Sequence, residues 1–367
     1  MTKKILLHGA YNGSNFGDFI LAWVIQKKVY EAGAETVLNN ASPYFLKIMG
    51  KEESLPLKAD YTIVDAAIFG GGGYLATRRI GLRGIRLLLL THLVPMFKMI
   101  RRNKPFIICG TGVGPIHDPC LQRITVRTLE KASAIYVRNE ESKEYLIHYG
   151  LKKHVEVTSD LALTLTKNDI PCEYLVAANK ALERFKGKRI VFIHINLLNI
   201  FSTKKSKLEQ GCDYLVRDIE TFAKNHDDVA FVIGSDYESF KVEKMNEHIY
   251  NMLGIDKCLL LDEYSVWGLA GFLSNVDVIL TTKLHVGIVG TSLGKTVISF
   301  SGDQKIHRFY KQIGKPERSV ELKDVKDGDC LKQLEKFIYA EPAEISVQRR
   351  NAERTLQKVK EFVESVQ

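Results

Sequence analysis

Short apolar runs rich in valine and isoleucine alternate along the chain with stretches in which apolar residues recur at helical spacing. The pattern predicts a first strand at Lys4–His8 and a helix after it at Phe19–Ala32. The other elements predicted in the first half are strands at Tyr61–Phe69, Pro105–Cys109, Ala134–Val137 and Val155–Thr158, and helices at Ile85–Arg101 and Cys120–Ala132. Such alternation is typical of a parallel sheet covered by helices on both faces.

The alternation pauses over residues 165–188 and then resumes. The elements predicted after the pause are strands at Arg189–Ile195, Val229–Ile233, Lys257–Leu261, Val276–Leu280 and Thr296–Phe300, helices at Tyr214–Asn225, Phe240–Leu253 and Val266–Leu273, and a closing helix at Ile345–Val366. We therefore predict an α/β fold with two Rossmann-like domains, residues 1–170 and 171–340, and a C-terminal helix in 341–367. Their parallel sheets are expected to face a cleft, with the chemistry in the loops after the strands.

Composition and charge narrow the classes of partner. A chain of 367 residues is long enough for two cores, and 45% hydrophobic and 26% charged residues are ordinary for a globular protein. The net charge of +9 favours anionic partners. None of the six cysteines forms a CxxC pair, and no Cys/His cluster has zinc spacing. We therefore expect reduced thiols in a cytoplasmic protein without signal peptide, metal or cofactor.

Positive charge concentrates in a basic segment, residues 78–104, within a stretch from Ala66 to His117 that has no acidic residue. Its cationic residues are Arg78, Arg79, Arg83, Arg86, Lys98, Arg101, Arg102 and Lys104. Two interpretations stay open: a crossover helix packed on the core with solvated arginines, which we favour, or an amphipathic helix on an anionic membrane surface. Pro95 predicts a kink in either. Nucleic acid is disfavoured because aromatic residues do not alternate with the basic ones.

The loop Gly9–Ile20 connects the first predicted strand to the first helix. Amides at the start of a helix bind anions or hydroxyl groups, so Asn15, Gly17 and Asp18 form a candidate site. A carboxylate such as Asp18 is suited to orienting or deprotonating a sugar hydroxyl. The alternative, given equal weight, is that Asn15 or Asp18 only caps the helix.

Two glycine-rich loops follow strands, at Gly70–Leu75 and Gly110–Ile116. Four consecutive glycines, among them Gly71, Gly72 and Gly73, predict a backbone that approaches a ligand closely, and Gly112 occupies the same place in the second loop. The first loop formally satisfies the dinucleotide fingerprint, but no acidic residue follows at the spacing that holds a ribose. We discount NAD and FAD; a tight strand-to-helix crossover is the remaining alternative.

Two charged residues occupy strand ends in the first half. Arg138 follows a strand and precedes a helix, where a guanidinium grips a carboxylate or phosphate through two hydrogen bonds. The alternative for Arg138 is a surface salt bridge to Glu140 or Glu141. Asp160 ends a strand near the domain junction, with catalysis and helix capping weighted equally. His194–Asn196 and Gly234–Ser239 occupy equivalent positions in the second half.

The stretch from Thr281 to Thr296, TTKLHVGIVGTSLGKT, ends like a nucleotide-phosphate loop. The segment GTSLGKT is one residue too short, and the pattern puts a helix before it and a strand after it, so ATP binding by this route is disfavoured. Gly294 is expected to end that helix. At the other end, helix amides converge with Lys283 and His285, which suits a phosphate beside a proton donor. The alternative is a structural histidine.

This ordered set of loops resembles the polysaccharide pyruvyl transferase family over residues 3–300. The residues that carry the resemblance are Asn15, Gly17, Asp18, Gly70–Gly73, Gly110–Pro115, Arg138, Ser142, Asp160, Leu284 and His285. Two motifs depart from the family's pattern. Its Arg-Leu-His reads Lys283-Leu284-His285, and its Arg-Asp-x-x-Ser has Asn139 in second place. Lysine keeps the positive charge but lacks the bidentate fork of arginine.

The resemblance implies a GT-B-like fold and transfer of the enolpyruvyl group of phosphoenolpyruvate to a sugar as a pyruvate ketal. The implied donor contacts are Arg138, Lys283, Leu284 and His285, with His285 as general acid. Asp18 or Asp160 would act on the acceptor hydroxyls. The implied acceptor is a saccharide of the cell envelope, either free or lipid-linked, handled in the cytoplasm or at the inner face of the membrane. Phosphoenolpyruvate is then a co-substrate and no cofactor is implied.

Two other functions stay open. A GT-B glycosyltransferase using a nucleotide sugar would need an acidic residue for a ribose, for which Asp303 or Glu263 is available. An inactive relative that binds glycans or acts as a scaffold is favoured by the lysine at position 283. Retention of His285, Arg138 and Asp18 argues against that inactive relative.

Overall fold

The computed structural model describes residues 2–77, 81–196, 205–237, 240–261 and 263–366, apart from the side chains of residues 82, 83, 205, 206 and 240–242. The chain divides into two compact units. The first unit is Met1–Thr164 with Ser346–Gln367, and the second is Leu165–Ile345. Each unit contains one six-stranded sheet whose paired strands are all parallel. The predicted α/β class with two parallel sheets is confirmed.

The first sheet has the strand order β2-β1-β3-β4-β5-β6. Its strands are β1 (Lys4–His8), β2 (Glu35–Leu38), β3 (Ala66–Gly70), β4 (Phe106–Thr111), β5 (Ala134–Val137) and β6 (Glu156–Val157). The helices of this part of the chain are α1 (Phe16–Glu31), α2 (Pro43–Ile48), α3 (Leu82–Arg86), a π-helix (Leu87–Leu93), α4 (Val94–Arg101), α5 (Pro119–Leu129), α6 (Glu140–His148), and 3₁₀ turns at Tyr61–Ile63 and Leu161–Thr164.

The second sheet has the strand order β12-β11-β10-β7-β8-β9. Its strands are β7 (Arg189–His194), β8 (Val229–Ile233), β9 (Cys258–Leu260), β10 (Val278–Thr281), β11 (Thr296–Ser301) and β12 (Ser319–Glu321). Its helices are α7 (Cys172–Leu182), α8 (Lys205–Asn225), α9 (Phe240–Leu253), α10 (Val266–Asn275), α11 (Leu284–Ser292), α12 (Gln304–Gln312), α13 (Asp329–Phe337), and 3₁₀ turns at Lys167–Asp169, Glu183–Phe185, Pro316–Arg318 and Leu322–Asp324.

The central strands are apolar because both of their faces are covered. Every residue of β3, β4, β8, β10 and β11 is buried, which explains why they stand out as continuous hydrophobic runs in the sequence. In the first unit Leu6, Phe69 and Phe106 belong to one core cluster. In the second, Phe231 and Phe300 belong to another. Each sheet is therefore a rigid base for the loops at its carboxyl edge.

The chain returns to the first unit at its end. The helix α14 (Ser346–Ser365) buries one face, which includes Leu356 and Val359, and it contacts α1. Thr355 Oγ1 donates a hydrogen bond to Thr158 Oγ1 at 2.6 Å. The hydrophobic pattern predicts a domain junction near residue 170 and assigns this helix to neither domain. In the structure the boundary falls between Thr164 and Leu165, and α14 belongs to the first unit.

Two predicted elements differ in kind from the structure, and two strands were not predicted. The strand predicted over Tyr61–Phe69 is wrong in its first part, since Tyr61–Ile63 is a 3₁₀ turn and β3 begins at Ala66. The edge strands β2 and β12 were not predicted. The helix predicted at Ile85–Arg101 changes from α to π geometry over Leu87–Leu93, just before Pro95, which has no amide hydrogen to continue a regular helix.

Three of the described cations in the basic segment, Lys98, Arg102 and Lys104, make contacts within the first unit. Lys98 Nζ donates to the carbonyl oxygen of Ala59 at 2.7 Å, and Lys104 Nζ to that of Thr62 at 2.8 Å. Arg102 pairs with Asp60. These contacts agree with the favoured interpretation of a crossover helix. Arg78 and Arg79 lie outside the described residues, as does the side chain of Arg83. Within the described ranges no helix is long and apolar enough to cross a membrane.

Candidate functional site

The loops of the first unit that carry predicted site residues all emerge at one edge of its sheet, because the strands before them are parallel neighbours. Asn15 is the N-cap of α1, and its Oδ1 accepts a hydrogen bond from the Asp18 amide at 3.1 Å. The capping interpretation therefore holds for Asn15. Gly17 is buried in the first turn, and the half-buried Asp18 follows it.

The glycine-rich loops make close approaches that side chains would block. Gly71 and Gly72 have φ values of +68° and +72°, a region that only glycine adopts without strain. A Cβ on Gly71 would lie 2.7 Å from the Cβ of Leu21, so Gly71 permits a tight packing against α1. A Cβ on Gly72 would lie 3.3 Å from Asp18 Oδ1. Gly72 and the half-buried Gly73 therefore place no side chain beside this carboxylate, and we call this pair of glycines the bare rim.

The two glycine loops and Arg138 are joined in one row. The Gly112 amide donates to the Gly72 carbonyl oxygen at 2.8 Å. A Cβ on Gly112 would lie 2.9 Å from Arg138 Nε, so only glycine leaves room for the guanidinium. Arg138 Nη1 lies 3.5 Å from Asp160 Oδ2, and both side chains are buried. The structure thus places Asp18, Gly72, Gly112, Arg138 and Asp160 in consecutive contact.

Asp160 has the capping role that the sequence left open, and it also faces Arg138. Its Oδ1 accepts from the Ala162 amide at 3.1 Å, at the start of the 3₁₀ turn Leu161–Thr164, while its Oδ2 faces Arg138. An ionic partner of Arg138 is therefore this buried carboxylate, which follows the neighbouring strand β6. An acidic partner at this distance fixes the direction of the guanidinium.

Ser142, another residue of the family resemblance, connects α6 to the second glycine loop. Its hydroxyl oxygen accepts a hydrogen bond from the Val113 amide at 2.9 Å and donates to Asn139 Oδ1 at 2.6 Å. Asn139 is the N-cap of α6, and its Oδ1 also accepts from the Ser142 amide at 3.0 Å. The asparagine that replaces the family's aspartate therefore keeps the capping function without the negative charge.

A buried polar network lies beneath this edge, and the hydrophobic pattern of the sequence does not predict it. His8 Nδ1 lies 2.6 Å from Asn39 Oδ1, and His8 Nε2 lies 2.9 Å from His92 Nδ1. Burial lowers the pKa of His8 to about 4, against the opposing effect of its hydrogen bond with Asn39, so the ring is neutral near pH 7. Tyr74, directly after the four glycines, stacks on His92 with ring centroids 4.4 Å apart. These contacts connect His8, at the end of β1, to Tyr74, which follows the four glycines.

The predicted donor residues of the second unit lie where β10 passes into α11. Lys283 is the N-cap residue, Leu284 is the buried first residue of the helix, and the half-buried His285 follows. The Lys283 amide donates to Thr281 Oγ1 at 3.0 Å. The remaining first-turn amides and the positive end of the helix dipole therefore lie beside a lysine and a histidine. Such a terminus suits an anionic group.

A buried network on β7 and β8 supports this helix terminus. His194 Nδ1 lies 3.0 Å from Thr281 Oγ1, and His194 Nε2 lies 3.1 Å from Asp236 Oδ1. Asn196 donates its side-chain amide to the same oxygen of Asp236. Burial would raise the pKa of Asp236, but the charge and hydrogen bond of His194, the charge of Lys283 and the hydrogen bond of Asn196 outweigh it and give about 2. Asp236 is thus a buried carboxylate close to Lys283.

His194 and Asp236 are the site residues that sequence reasoning did not single out. His194 is the last residue of β7 and Asp236 lies three residues after β8, in the segments HIN and GSD, and that position near strand ends was the available signal. Glu238 and Ser239, which end the segment noted in the sequence, lie outside the described residues. The contact among His194, Asp236 and Thr281 depends on the strand order β10-β7-β8, which the hydrophobic pattern does not give.

The apparent nucleotide-phosphate loop has the geometry of a helix end. Gly294 has φ of +73° directly after α11, and its amide donates to the Thr291 carbonyl oxygen at 3.1 Å. Thr296 begins β11. The prediction that Gly294 ends a helix and that a strand follows is confirmed. Among the described residues, no group of three or more His, Cys, Asp or Glu side chains could hold a metal ion.

Comparison with known structures gives the class of fold. S. aureus MnaA bound to UDP matches with a TM-score of 0.63 at 13% identity, covering 99% of this chain and 97% of that chain. The Methanocaldococcus jannaschii UDP-GlcNAc 2-epimerase with UDP-GlcNAc and UDP matches with 0.59 at 11% identity, covering 98% and 100%. Anabaena Alr3699/HepE with UDP and glucose matches with 0.55 at 12% identity, covering 100% of each chain. The fold is GT-B-like, as in UDP-GlcNAc 2-epimerases.

Comparison with family models gives the family. The model for polysaccharide pyruvyl transferase matches residues 15–304, which span both candidate groups of site residues. The chain belongs to the polysaccharide pyruvyl transferase family, as the resemblance in its loops indicated. None of the curated proteins compared with the chain matches it.

Proposed function

We propose that the protein transfers the enolpyruvyl group of phosphoenolpyruvate to a sugar of a cell-surface polysaccharide or its precursor. In this reaction the methylene carbon of the donor takes a proton and becomes a methyl group. One acceptor hydroxyl oxygen bonds to the central carbon, and a second displaces phosphate from it. One hydroxyl proton ends on the methyl carbon and the other on the released phosphate, so the products are a pyruvate ketal and phosphate.

The observation that carries the proposal is the terminus of α11, within the range matched by the family model. The donor is a phosphate ester next to a carboxylate, and it needs cations and amides at one end and an acid at its methylene carbon. Lys283, the first-turn amides and His285 supply these groups within three residues of one another. The cited neighbours are bound to UDP or UDP-sugars. At this low identity the similarity concerns the fold and carries no argument about the substrate.

In the proposed mechanism His285 is the general acid that protonates the methylene carbon. Lys283 binds the donor as a point charge, and the buried Asp236 near it fixes that charge in place. The lysine substitution for arginine removes one of two parallel hydrogen bonds to the donor. We expect a higher KM for phosphoenolpyruvate than in a Lys283→Arg variant, with a smaller change in kcat.

Arg138, Asp18 and Asp160 complete the proposed set of functional residues in the first unit. We propose that Arg138 supplies a second cation for the donor and that Asp18 orients or deprotonates an acceptor hydroxyl. The contact of Asp160 with Arg138 supports a positioning role for Asp160, because a carboxylate paired with a guanidinium is a weak base. Asp18, next to the bare rim of Gly72, is then the stronger candidate for the acceptor hydroxyls.

The direct test is a thermal-shift titration with phosphoenolpyruvate beside a panel of nucleotide sugars. A ligand at about 100 times its Kd stabilises the folded state by about 2.7 kcal/mol, which raises Tm measurably. A shift with phosphoenolpyruvate is the expected result. A shift with a nucleotide sugar alone would instead assign glycosyl transfer.

The acid role makes a specific prediction for His285→Gln. Glutamine keeps a polar side chain but cannot transfer a proton, so kcat should fall by about 10²–10⁴-fold while the thermal shift with phosphoenolpyruvate remains. Phosphate release is the measurement. The matched control is His307→Gln, an exposed histidine of α12, which should keep wild-type kcat. A near-wild-type kcat for His285→Gln would remove histidine from the chemistry.

Contact of the basic segment with an anionic membrane surface is proposed as a secondary feature. Leu87, Leu90 and Phe97 are exposed, and Arg86 and Arg101 are exposed beside them in the sequence. Exposed apolar and basic residues on one short stretch suit an anionic lipid surface. Co-sedimentation with liposomes of increasing anionic lipid content tests it. Binding that does not depend on that content would leave only the crossover role.

A further inference from the structure

The second unit contains a cavity that the proposed transfer reaction does not use. Its volume is about 460 Å³, within the range of small-molecule sites. It opens at the carboxyl ends of β8 and β9, beside α9. The side chains that carry the argument are Tyr237, Glu243, Asn246, Glu247, Glu263 and Tyr264. A smaller cavity of about 240 Å³ shares Glu263 and Tyr264 with it and extends to the N-terminus of α10.

Asn246 indicates that a ligand of this cavity would be a hydrogen-bond donor. The residue is only 4% exposed, yet across the part of the chain that the structure describes its Oδ1 accepts no hydrogen bond. A buried acceptor without a donor destabilises the fold, so proteins rarely keep one without a use. A ligand that donates a hydrogen bond inside the cavity would satisfy it.

The remaining lining fits hydroxyl groups and disfavours phosphate. Glu243, Glu247 and Glu263 contribute carboxylates, which only accept hydrogen bonds when ionised and repel anions. Tyr237 and Tyr264 contribute aromatic surface. An array of acceptors beside aromatic rings matches a polyhydroxylated ring, whose hydroxyl groups donate at its edge and whose C–H groups pack on an aromatic face.

The cavity is placed next to the buried network of the second unit without being part of it. Ser235 lines it, and the following residue is Asp236, which faces His194. The Ser235 hydroxyl donates to the Tyr237 carbonyl oxygen at 2.6 Å, which fixes the turn after β8. A ring bound here would therefore lie beside the end of β8, which is followed by Asp236 near Lys283. The acidic side chains of the cavity would repel a phosphate group.

We propose that this cavity binds a carbohydrate ring through its hydroxyl groups, with Asn246 and Glu263 as hydrogen-bond acceptors. The ring has two possible sources with the same chemistry: a hexose of a glycan or the ribose of a nucleoside. The site is independent of phosphoenolpyruvate, so it stands whether or not the proposed transfer is correct. It adds a second ligand to a unit in which the family resemblance implies only the donor.

The test is ligand-observed NMR on the full chain at millimolar probe concentration. One arm uses methyl glycosides of glucose, galactose, mannose and N-acetylglucosamine, and the other uses uridine and UDP-glucose. Binding in the first arm assigns a glycan, and binding in the second alone assigns a nucleoside. Both support the proposal if binding weakens about tenfold in Asn246→Leu and in Glu263→Gln, the loss of one hydrogen bond to a buried or charged partner.

The matched control is Asn251→Leu, which alters an exposed asparagine of the same helix and should leave binding unchanged. Glu263 is exposed, so Glu263→Gln tests the site without disturbing the core. Binding by none of the probes would overturn the proposal. Binding of any probe with equal strength in wild type, Asn246→Leu and Glu263→Gln would place the ligand elsewhere and overturn it as well.

Discussion

At the scale of single residues, Asp236 is unusual because it is both buried and anionic. Its pKa falls from 3.8 to about 2 even though burial alone would raise it, since His194, Lys283 and Asn196 stabilise the charged form more. A pKa lowered on folding means that the carboxylate stabilises the fold at every pH above its unfolded value. That stabilisation is lost as pH falls through the folded value.

We therefore predict that Asp236→Asn lowers the free energy of unfolding at neutral pH by about 2 kcal/mol, from a pKa difference of nearly two units. The deficit should shrink as pH falls from about 4 to about 2, the interval set by the two pKa values. Urea unfolding across this pH range measures it. Asp213→Asn, an exposed carboxylate on α8, is the control. A deficit independent of pH would mean that packing, and not charge, explains the loss.

Residue-scale prediction from sequence succeeded where one local rule decided the outcome. Gly294 was identified as a helix end because glycine adopts its φ of +73° without strain. Asn15 was placed at a helix start, although the sequence could not separate capping from binding. His194, Asp236 and Thr281 could not be grouped, because they are brought together by the pairing of β7 with β8 and β10. Long-range pairing leaves no local signal.

At the scale of elements, Ser142 connects the start of α6 to the loop after β4. Replacing it with alanine leaves the buried Val113 amide without its acceptor. We expect Ser142→Ala to destabilise the protein by about 1–3 kcal/mol, the cost of an unsatisfied buried group. Urea unfolding gives this value, and hydrogen exchange should show faster exchange at the Val113 amide. Ser365→Ala, at the exposed end of α14, serves as the comparison and should change neither.

If Ser142→Ala left exchange at Val113 unchanged, the hydroxyl would not hold the loop.

The strands of the sheets were predicted unequally well from the sequence. The interior strands β1, β5 and β8 have the predicted bounds. Every residue of β8 is buried, and such a strand produces an uninterrupted apolar run. The edge strands β2 and β12 were not predicted. The π geometry over Leu87–Leu93 was not predicted either, because it depends on hydrogen-bond spacing and not on hydrophobic pattern.

At the scale of the whole molecule, the chain order and the structural units differ. The hydrophobic period of the last 20-residue helix predicts a helix but not the unit against which it packs. The structure assigns it to the first unit, with its buried face against α1 and the turn Leu161–Thr164. The first unit is therefore complete only when the last residues of the chain have been added.

This assignment predicts a polarised response to Leu356→Ala. Leu356 is 3% exposed, and loss of such a side chain costs about 2–5 kcal/mol. Hydrogen exchange should accelerate in residues 2–164 and remain at the wild-type level in residues 165–345, because the units have separate cores. Gln357→Ala, on the exposed face of the same helix, should leave both units protected. Equal acceleration in both units would show that they unfold as one, and the helix would then stabilise the whole chain.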